Sequence, residues 1–166
     1  MKQIQGTSYN IGNDIVGRIT FGKANLFNRS NDILVCKDAS KSSFGYLATI
    51  TEAETFSSKS KPYCVVNCVE EFQEGDVVVI NKQGEVIFVY EINSNHNALM
   101  VTERCNHRCI MCPQPPILQE KDKTPFNLKL ISLFNKSTQE IGITGGEPTL
   151  IGDNLFTLIN HIKKEL

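Results

Sequence analysis

Net charge is nearly absent from this chain. Its 17 lysines and arginines stand against 18 aspartates and glutamates, leaving −1 at pH 7. Without a basic surplus there is no electrostatic case for nucleic acid or an anionic membrane as the main partner. Long apolar runs are also missing, so no segment reads as a membrane span. The opening residues, Met1-Lys-Gln-Ile-Gln-Gly-Thr-Ser8, lack the apolar core of a secretion signal. No internal repeat is visible. Together these absences make the cytoplasm the expected location. With 40% hydrophobic and 21% charged residues over 166 positions, the composition is that of an ordinary soluble protein of one domain or two small ones.

What is present is an uneven set of six cysteines. Three fall in one short run, Cys105-Asn-His-Arg-Cys109-Ile-Met-Cys112, spaced C-x3-C-x2-C. Thiols this close cannot staple distant parts of a fold, and in a reducing compartment such a cluster reads first as metal binding. Cys64 and Cys68 are four positions apart, which along a strand separates them by more than about 10 Å, too far for one ligand site. They and Cys36 read as buried β-core residues.

Residues 1–97 read as β-rich. Short β-prone runs occur at Ile15–Phe21, Asp32–Cys36, Phe44–Thr51 and Tyr63–Val69. The clearest pair is Asp76–Ile80 and Glu85–Tyr90, joined by Asn81-Lys-Gln-Gly84 with glycine at a positive-φ position. Closely spaced short strands suggest a small barrel or sandwich. Ser57-Ser-Lys-Ser-Lys61 reads as a solvated loop.

The pattern changes after the polar stretch Asn93-Ser-Asn-His-Asn97. Ala98–Thr102 reads as a buried parallel strand, and residues 103–123 as an extended loop holding the three clustered cysteines and three prolines. Thr124-Pro125 is a helix start, with the hydroxyl at the cap, followed by Asn127, Leu130, Ile131 and Phe134 at helical spacing. Glu140–Thr144 is a second strand ending at Gly145-Gly146-Glu147-Pro148. Asp153 or Asn154 caps a last helix with an apolar stripe at Leu155, Leu158, Ile159 and Ile162. Strand, loop, helix, strand, loop, helix implies parallel strands, with both loops at the carboxyl end of the sheet.

Three thiolates can hold three irons of a four-iron cluster and leave the fourth iron open to a ligand. Zinc is the competing occupant. It wants four ligands, and His107 would have to complete the set from within a tight ring. Three unrelated buried cysteines are the plainest alternative. Gly145-Gly146 permits close backbone approach, and Glu147 sets a carboxylate there that suits an ammonium group. Without the cysteines, the same four residues would make an ordinary turn with a surface carboxylate.

Taken together, the C-x3-C-x2-C run and the Gly-Gly-Glu-Pro turn at the next strand end resemble the radical S-adenosylmethionine (SAM) superfamily, over residues 98–166. The resemblance implies that Cys105, Cys109 and Cys112 hold a four-iron, four-sulfur (4Fe-4S) cluster whose open iron chelates the amino and carboxylate groups of SAM. It implies that Gly145, Gly146 and Glu147, with Pro148 closing the turn, bind the methionine amino group. It places Met111, where an aromatic residue is usual, against the adenine. The implied chemistry is reductive cleavage of SAM to methionine and a 5′-deoxyadenosyl radical that takes hydrogen from a substrate. His107 and Arg108 would touch SAM or substrate, or be solvated.

The stretch Thr102–Pro116 further resembles the radical SAM maturases of the His-Xaa-Ser system. This implies a peptide or small protein substrate, a second radical SAM enzyme of the same system, and an electron donor of the reduced flavodoxin or ferredoxin type. The expected fold class is therefore α+β: a β-rich barrel or sandwich over 1–97, then the first two βα units of a partial (βα)6 radical SAM barrel over 98–166. Two such units leave a sheet edge and an apolar face uncovered, so either a partner chain completes the barrel or the enzyme is truncated, and truncation is the expectation. The alternative function is a non-catalytic metal-binding or partner-docking fragment.

Overall fold

A computed structural model describes residues 2–22, 29–37, 44–53, 61–112, 115 and 117–166. The chain divides into two units, Met1–Asn93 and Ser94–Leu166. The expected loop at 57–61 lies outside the described residues except for Lys61, as do Pro113, Gln114 and Pro116 of the proline-rich stretch.

The first unit is built from β1 (Gln3–Tyr9), β2 (Ile15–Thr20), β3 (Asp32–Cys36), β4 (Ala48–Thr51), β5 (Tyr63–Val66), β6 (Val77–Ile80) and β7 (Glu85–Tyr90). These close into a barrel in the order β1-β5-β4-β3-β2-β6-β7, with β7 pairing back onto β1. The β2–β3, β3–β4 and β4–β5 pairs are parallel; the remaining pairs are antiparallel. The parallel strands β3 and β4 are buried at every position, as expected for strands covered on both faces. Ile33, Val35, Ile50, Val78, Val86 and Phe88 meet in the interior.

The β6–β7 hairpin follows from its turn chemistry. Asn81 Oδ1 accepts from the amides of Gln83 and Glu85 at 3.0 and 2.9 Å, and Gly84 takes φ +85°. Gly84 also lies against β1. A Cβ there would sit 2.2 Å from the Gly6 carbonyl oxygen, and the Gly6 amide donates to the Gly84 carbonyl at 2.9 Å. Closure of the barrel at β7–β1 thus requires a residue without a side chain at the hairpin turn.

Cys64 is fully buried in this interior, and burial pushes its thiol up to about 11. Cys36 is also buried, whereas Cys68 lies beyond the end of β5 and is partly exposed, which corrects its reading as a core residue.

The second unit runs β8 (Ala98–Thr102), α1 (Thr124–Ile131), β9 (Gly142–Gly145) and α2 (Asp153–Glu165). β8 and β9 pair in parallel, from Ala98 opposite Gly142 to Thr102 opposite Gly145. Leu99 and Val101 from β8, Leu130 and Ile131 from α1, and Leu158 from α2 are buried. Asn127, on the buried face of α1, donates through Nδ2 to the Met100 carbonyl at 3.2 Å and ties helix to strand. Thr124 is the first helical residue, not the cap. Lys123 stands at the cap position without a side-chain bond. Gly152, at φ +58°, precedes α2 in place of an Asp153 or Asn154 cap. Among the described residues no helix is long and apolar enough to cross a membrane.

The expected fold class is corrected on these grounds. The described residues are strand-rich with two α-helices, the closed barrel is made by β1–β7, and no partial (βα)6 radical SAM barrel is evident among them. Two paired strands such as β8 and β9 span too little arc to form a barrel wall.

One buried charge in the first unit gives a stability test. Asp32 is almost fully buried, and Arg18 reaches its Oδ1 at 3.0 Å while remaining 38% exposed. Burial pushes the Asp32 carboxyl above its ordinary value, and the Arg18 guanidinium opposes this only in part. A carboxyl raised on folding holds its proton more tightly in the native state. Native stability from this group is therefore fully present in acid and falls as pH rises through the carboxyl range. Arg18→Ala is expected to cost about 1–3 kcal/mol near neutral pH, less than breaking a fully buried pair because solvent reaches the guanidinium. The deficit is expected to shrink as pH falls and Asp32 protonates. Urea denaturation across pH checks this; a deficit that does not change with pH would show that Arg18 acts through something other than Asp32.

Candidate functional site

Parallel strands present their carboxyl ends on one side, so the loops that leave β8 and β9 emerge next to each other. The cysteine loop follows β8 at Thr102. The Gly-Gly-Glu-Pro turn begins at the last residue of β9, Gly145. The two are joined by main-chain bonds. The Gly146 amide donates to the Thr102 carbonyl at 2.9 Å, and the Glu147 amide donates to the Arg104 carbonyl at 2.7 Å. This approach leaves no room for side chains. A Cβ on Gly145 would lie 2.3 Å from the Thr102 carbonyl oxygen, and one on Gly146 would lie 2.2 Å from that of Arg104.

The opposite side of the same backbone is held by Glu120, whose side chain is 11% exposed. Its carboxylate accepts from the Thr102 hydroxyl, from the Glu103 amide at 2.9 Å, and from the Arg104 amide at 3.4 Å. Lys123 approaches it at 3.6 Å and Glu103 at 3.3 Å. Burial pushes the Glu120 carboxyl up, but the bonds from Thr102, Glu103 and Arg104 together outweigh it, so the group sits below its ordinary value. A parallel bridge between Arg104 and Ile117, with the Cys105 amide donating to the Ile117 carbonyl at 3.1 Å, closes the base of the loop. Sequence reading missed Glu120 because Gln119-Glu-Lys-Asp-Lys123 looks like any solvated charged stretch.

Cys105, Cys109 and Cys112 are not joined in disulfides. Cys105 is partly exposed, and the other two are exposed. The Cys105 sulfur accepts from the His107 amide at 3.4 Å, and the Cys112 amide donates to the Cys109 carbonyl at 3.0 Å. The three thiols line one open cleft of about 740 Å³ together with Gly145, Gly146, Glu147, His107 and Arg108. Met111 is not part of it. Met111 is 94% exposed, and its neighbour Ile110 is fully exposed. Pro148 does not line the cleft either; it opens a 3-10 turn at Pro148–Ile151.

Glu147 is held by its own turn. Its Oε1 accepts from the Thr149 hydroxyl at 2.6 Å and from the Thr149 amide at 3.1 Å. The Thr149 hydroxyl, more than any other neighbour, lowers the Glu147 carboxyl below its ordinary value; its amide and His107 add to this. The second oxygen, Oε2, lies 3.7 Å from His107 Nδ1, beyond hydrogen-bond distance. Glu147 is thus an ionised carboxylate with one oxygen committed to the turn and the other retaining acceptor capacity at the cleft.

Among the described residues no three His, Cys, Asp or Glu side chains form a group that could hold a single metal ion. A tetrahedral zinc site needs four donors converging within about 2.0–2.3 Å of one point. Three soft thiol donors lining one cleft match the donor set of a polynuclear iron–sulfur cluster better, because each thiolate there takes a different iron.

No protein-family model matches the chain, and no solved structure matches it. The chain is 37% identical over 65 residues to GTP 3',8-cyclase of Campylobacter jejuni subsp. doylei, a radical SAM enzyme. That stretch is 36% of this chain, which spans a fifth of the relative's length (20%). The likeness supports the radical SAM superfamily at most.

Two outcomes are expected from this geometry. Gly146→Ala forces its Cβ into the Arg104 carbonyl and is expected to destabilise the second unit by about 1–3 kcal/mol, read as earlier loss of α1 and α2 amide protection. In the metal-free native protein, Cys109 and Cys112 are expected to alkylate readily while Cys64 stays unmodified. Peptide mass mapping checks this, and rapid labelling of Cys64 would contradict its placement in the barrel interior.

Proposed function

We propose that this chain carries the cofactor site of a radical SAM enzyme that modifies a peptide or small protein, as the maturases of the His-Xaa-Ser system do. The observation that carries the reading is the shared cleft. Three thiols from one loop and the Gly-Gly-Glu turn from another line it together, and main-chain bonds to a single strand exit join the two loops. Cys105, Cys109 and Cys112 would hold a 4Fe-4S cluster. Glu147, through Oε2, and the main chain of Gly145 and Gly146 would receive the ammonium of SAM. When bound, cluster and SAM supply one-electron cleavage of a carbon–sulfur bond and so a hydrogen-abstracting radical.

The residues of this chain would bind and orient. Thr149 keeps Glu147 ionised and fixed, which suits an acceptor for a cation. His107 and Arg108 add positive or polar groups to the cleft, where a carboxylate would be received. Met111, which is solvent-exposed, would lie against the adenine by the same resemblance. A reduced flavodoxin or ferredoxin-type donor would supply the electron, and a second radical SAM enzyme is a candidate partner. Exposed thiols of this kind persist in a reducing compartment, which supports the cytoplasm as the location.

The test is anaerobic reconstitution of the full chain with iron and sulfide, followed by SAM and a reductant. Iron and acid-labile sulfide are expected in equal amounts. Serine at Cys105, Cys109 or Cys112 is expected to lower iron retention at least about tenfold with the circular dichroism unchanged. Formation of 5′-deoxyadenosine would support the enzymatic reading. A folded chain that takes up zinc and not iron would overturn it in favour of a structural metal site.

A further inference from the structure

We propose that Glu120 is a positioning residue that holds the cysteine loop and the Gly-Gly-Glu turn in register by clamping the strand exit they share. Its role as a positioning group for a cofactor rests on the reading above; its mechanical role does not.

Thr102 is the last residue of β8, and through Thr102–Arg104 the regular ladder gives out. Peptide groups left unpaired away from water are costly. Two outside elements serve them. On one side the carbonyls of Thr102 and Arg104 accept from the amides of Gly146 and Glu147. On the other side the amides of Glu103 and Arg104 donate to the Glu120 carboxylate, which also takes the Thr102 hydroxyl. Thr102 Oγ1 in turn accepts from the Arg104 amide at 3.0 Å, so the two clamps act on the same three residues. Cys105 is the next residue along.

A carboxylate suits this post. It is acceptor-only and can take several donors at once, and bonds to an ionised acceptor are stronger than neutral ones. An amide retains one such oxygen, and alanine retains none. If the carboxylate is removed, the Glu103 amide loses its acceptor and the Arg104 amide keeps only Thr102 Oγ1. The segment from Thr102 to Arg104 is then held less firmly, and with it the Arg104 carbonyl that the Glu147 amide bonds. The effect of Glu120 therefore reaches Gly146 and Glu147, which it does not touch.

The test is amide hydrogen exchange on the full-length, metal-free chain, comparing wild type with Glu120→Ala and Glu120→Gln. Glu120→Ala is expected to speed exchange at Glu103, Arg104, Gly146 and Glu147 by about tenfold or more, while amides of β3 and β7 in the first unit do not change. Glu120→Gln is expected to recover most of the protection. Unchanged exchange at Gly146 and Glu147 in Glu120→Ala would overturn the proposal. So would a loss spread evenly over α1 and α2, since that would mark a general stability contribution. A parallel reading uses iron-loaded protein. Wild type and Glu120→Gln are expected to show the same change in the reduced-cluster electron paramagnetic resonance spectrum on adding SAM, and Glu120→Ala to lose it. Failure of the wild type to load iron would count against the radical SAM reading alone, because the exchange result stands without metal.

Discussion

The geometry of the second unit depends on how three residues at the end of β8, Thr102–Arg104, satisfy their peptide groups. A strand that leaves its ladder must find new partners for each N–H and C=O, and at Thr102–Arg104 the donors and acceptors are met from opposite sides. The acceptor for the N–H groups comes from far down the same loop, at Glu120. The donors for the carbonyls come from the loop after β9. One short segment thus fixes the relative position of two motifs some forty residues apart in sequence, counted from Cys105 to Gly145. It does so through main-chain atoms, which is why Gly145 and Gly146 must be glycines whatever the cleft binds.

The cysteine loop has two mechanical regimes. Its base, from Thr102 to Cys105 and across to Ile117 and Glu120, is bonded into the sheet end. Its tip is turned toward solvent, with Cys109 and Cys112 exposed and Ile110 and Met111 almost wholly so. Apolar side chains at such exposure contribute nothing to the fold of the metal-free chain. Under the proposed function that distribution is consistent: the protein fixes the first thiol and the carboxylate, and binding energy from the group itself draws in the other two. Coupling of metal binding to local ordering is the general behaviour of thiolate sites.

How much of this was legible in the sequence varied with the physics of each element. The strands at Asp32–Cys36 and Glu85–Tyr90 have the bounds the residues suggest, because β-branched runs between turn formers leave little choice. β1 went unseen: Gln3-Ile-Gln-Gly-Thr-Ser-Tyr9 is mostly polar, and it is a strand because it closes the barrel between β5 and β7. The runs at Phe44–Thr51 and Tyr63–Val69 were drawn too long, since pattern alone does not show where pairing stops. Thr124 looks like a helix cap, but the chain enters α1 one residue earlier and Asp122 takes the Thr124 amide instead. The three clustered thiols and the glycine–glutamate turn stood out because their spacing is rare. Glu120 did not, because its role depends on which backbone it meets, and no local pattern encodes that. The extrapolation from two strand–helix repeats to part of a larger barrel failed for a similar reason. Repetition of an element order does not set curvature, and the only closure shown lies in the mixed seven-stranded unit.

Glu147 shows how a turn can prepare a carboxylate for a ligand without burying it. The group is 26% exposed, so desolvation alone would do little to define its charge or its direction. Definition comes from Thr149, which gives both its hydroxyl and its amide to Oε1 and so sets the plane of the carboxylate. Pro148 strengthens this arrangement: its fixed φ begins the tight turn that brings Thr149 back over Glu147. Pro148 thus shapes the turn from outside the cleft lining. Oε2 lies 3.7 Å from His107 Nδ1, too far for that ring to consume the acceptor. An incoming ammonium would therefore meet an ionised, oriented oxygen and displace no strong bond. The same turn that orients Oε2 is bonded through the Glu147 amide to the residue before Cys105, so the acceptor and the first thiol share one rigid reference.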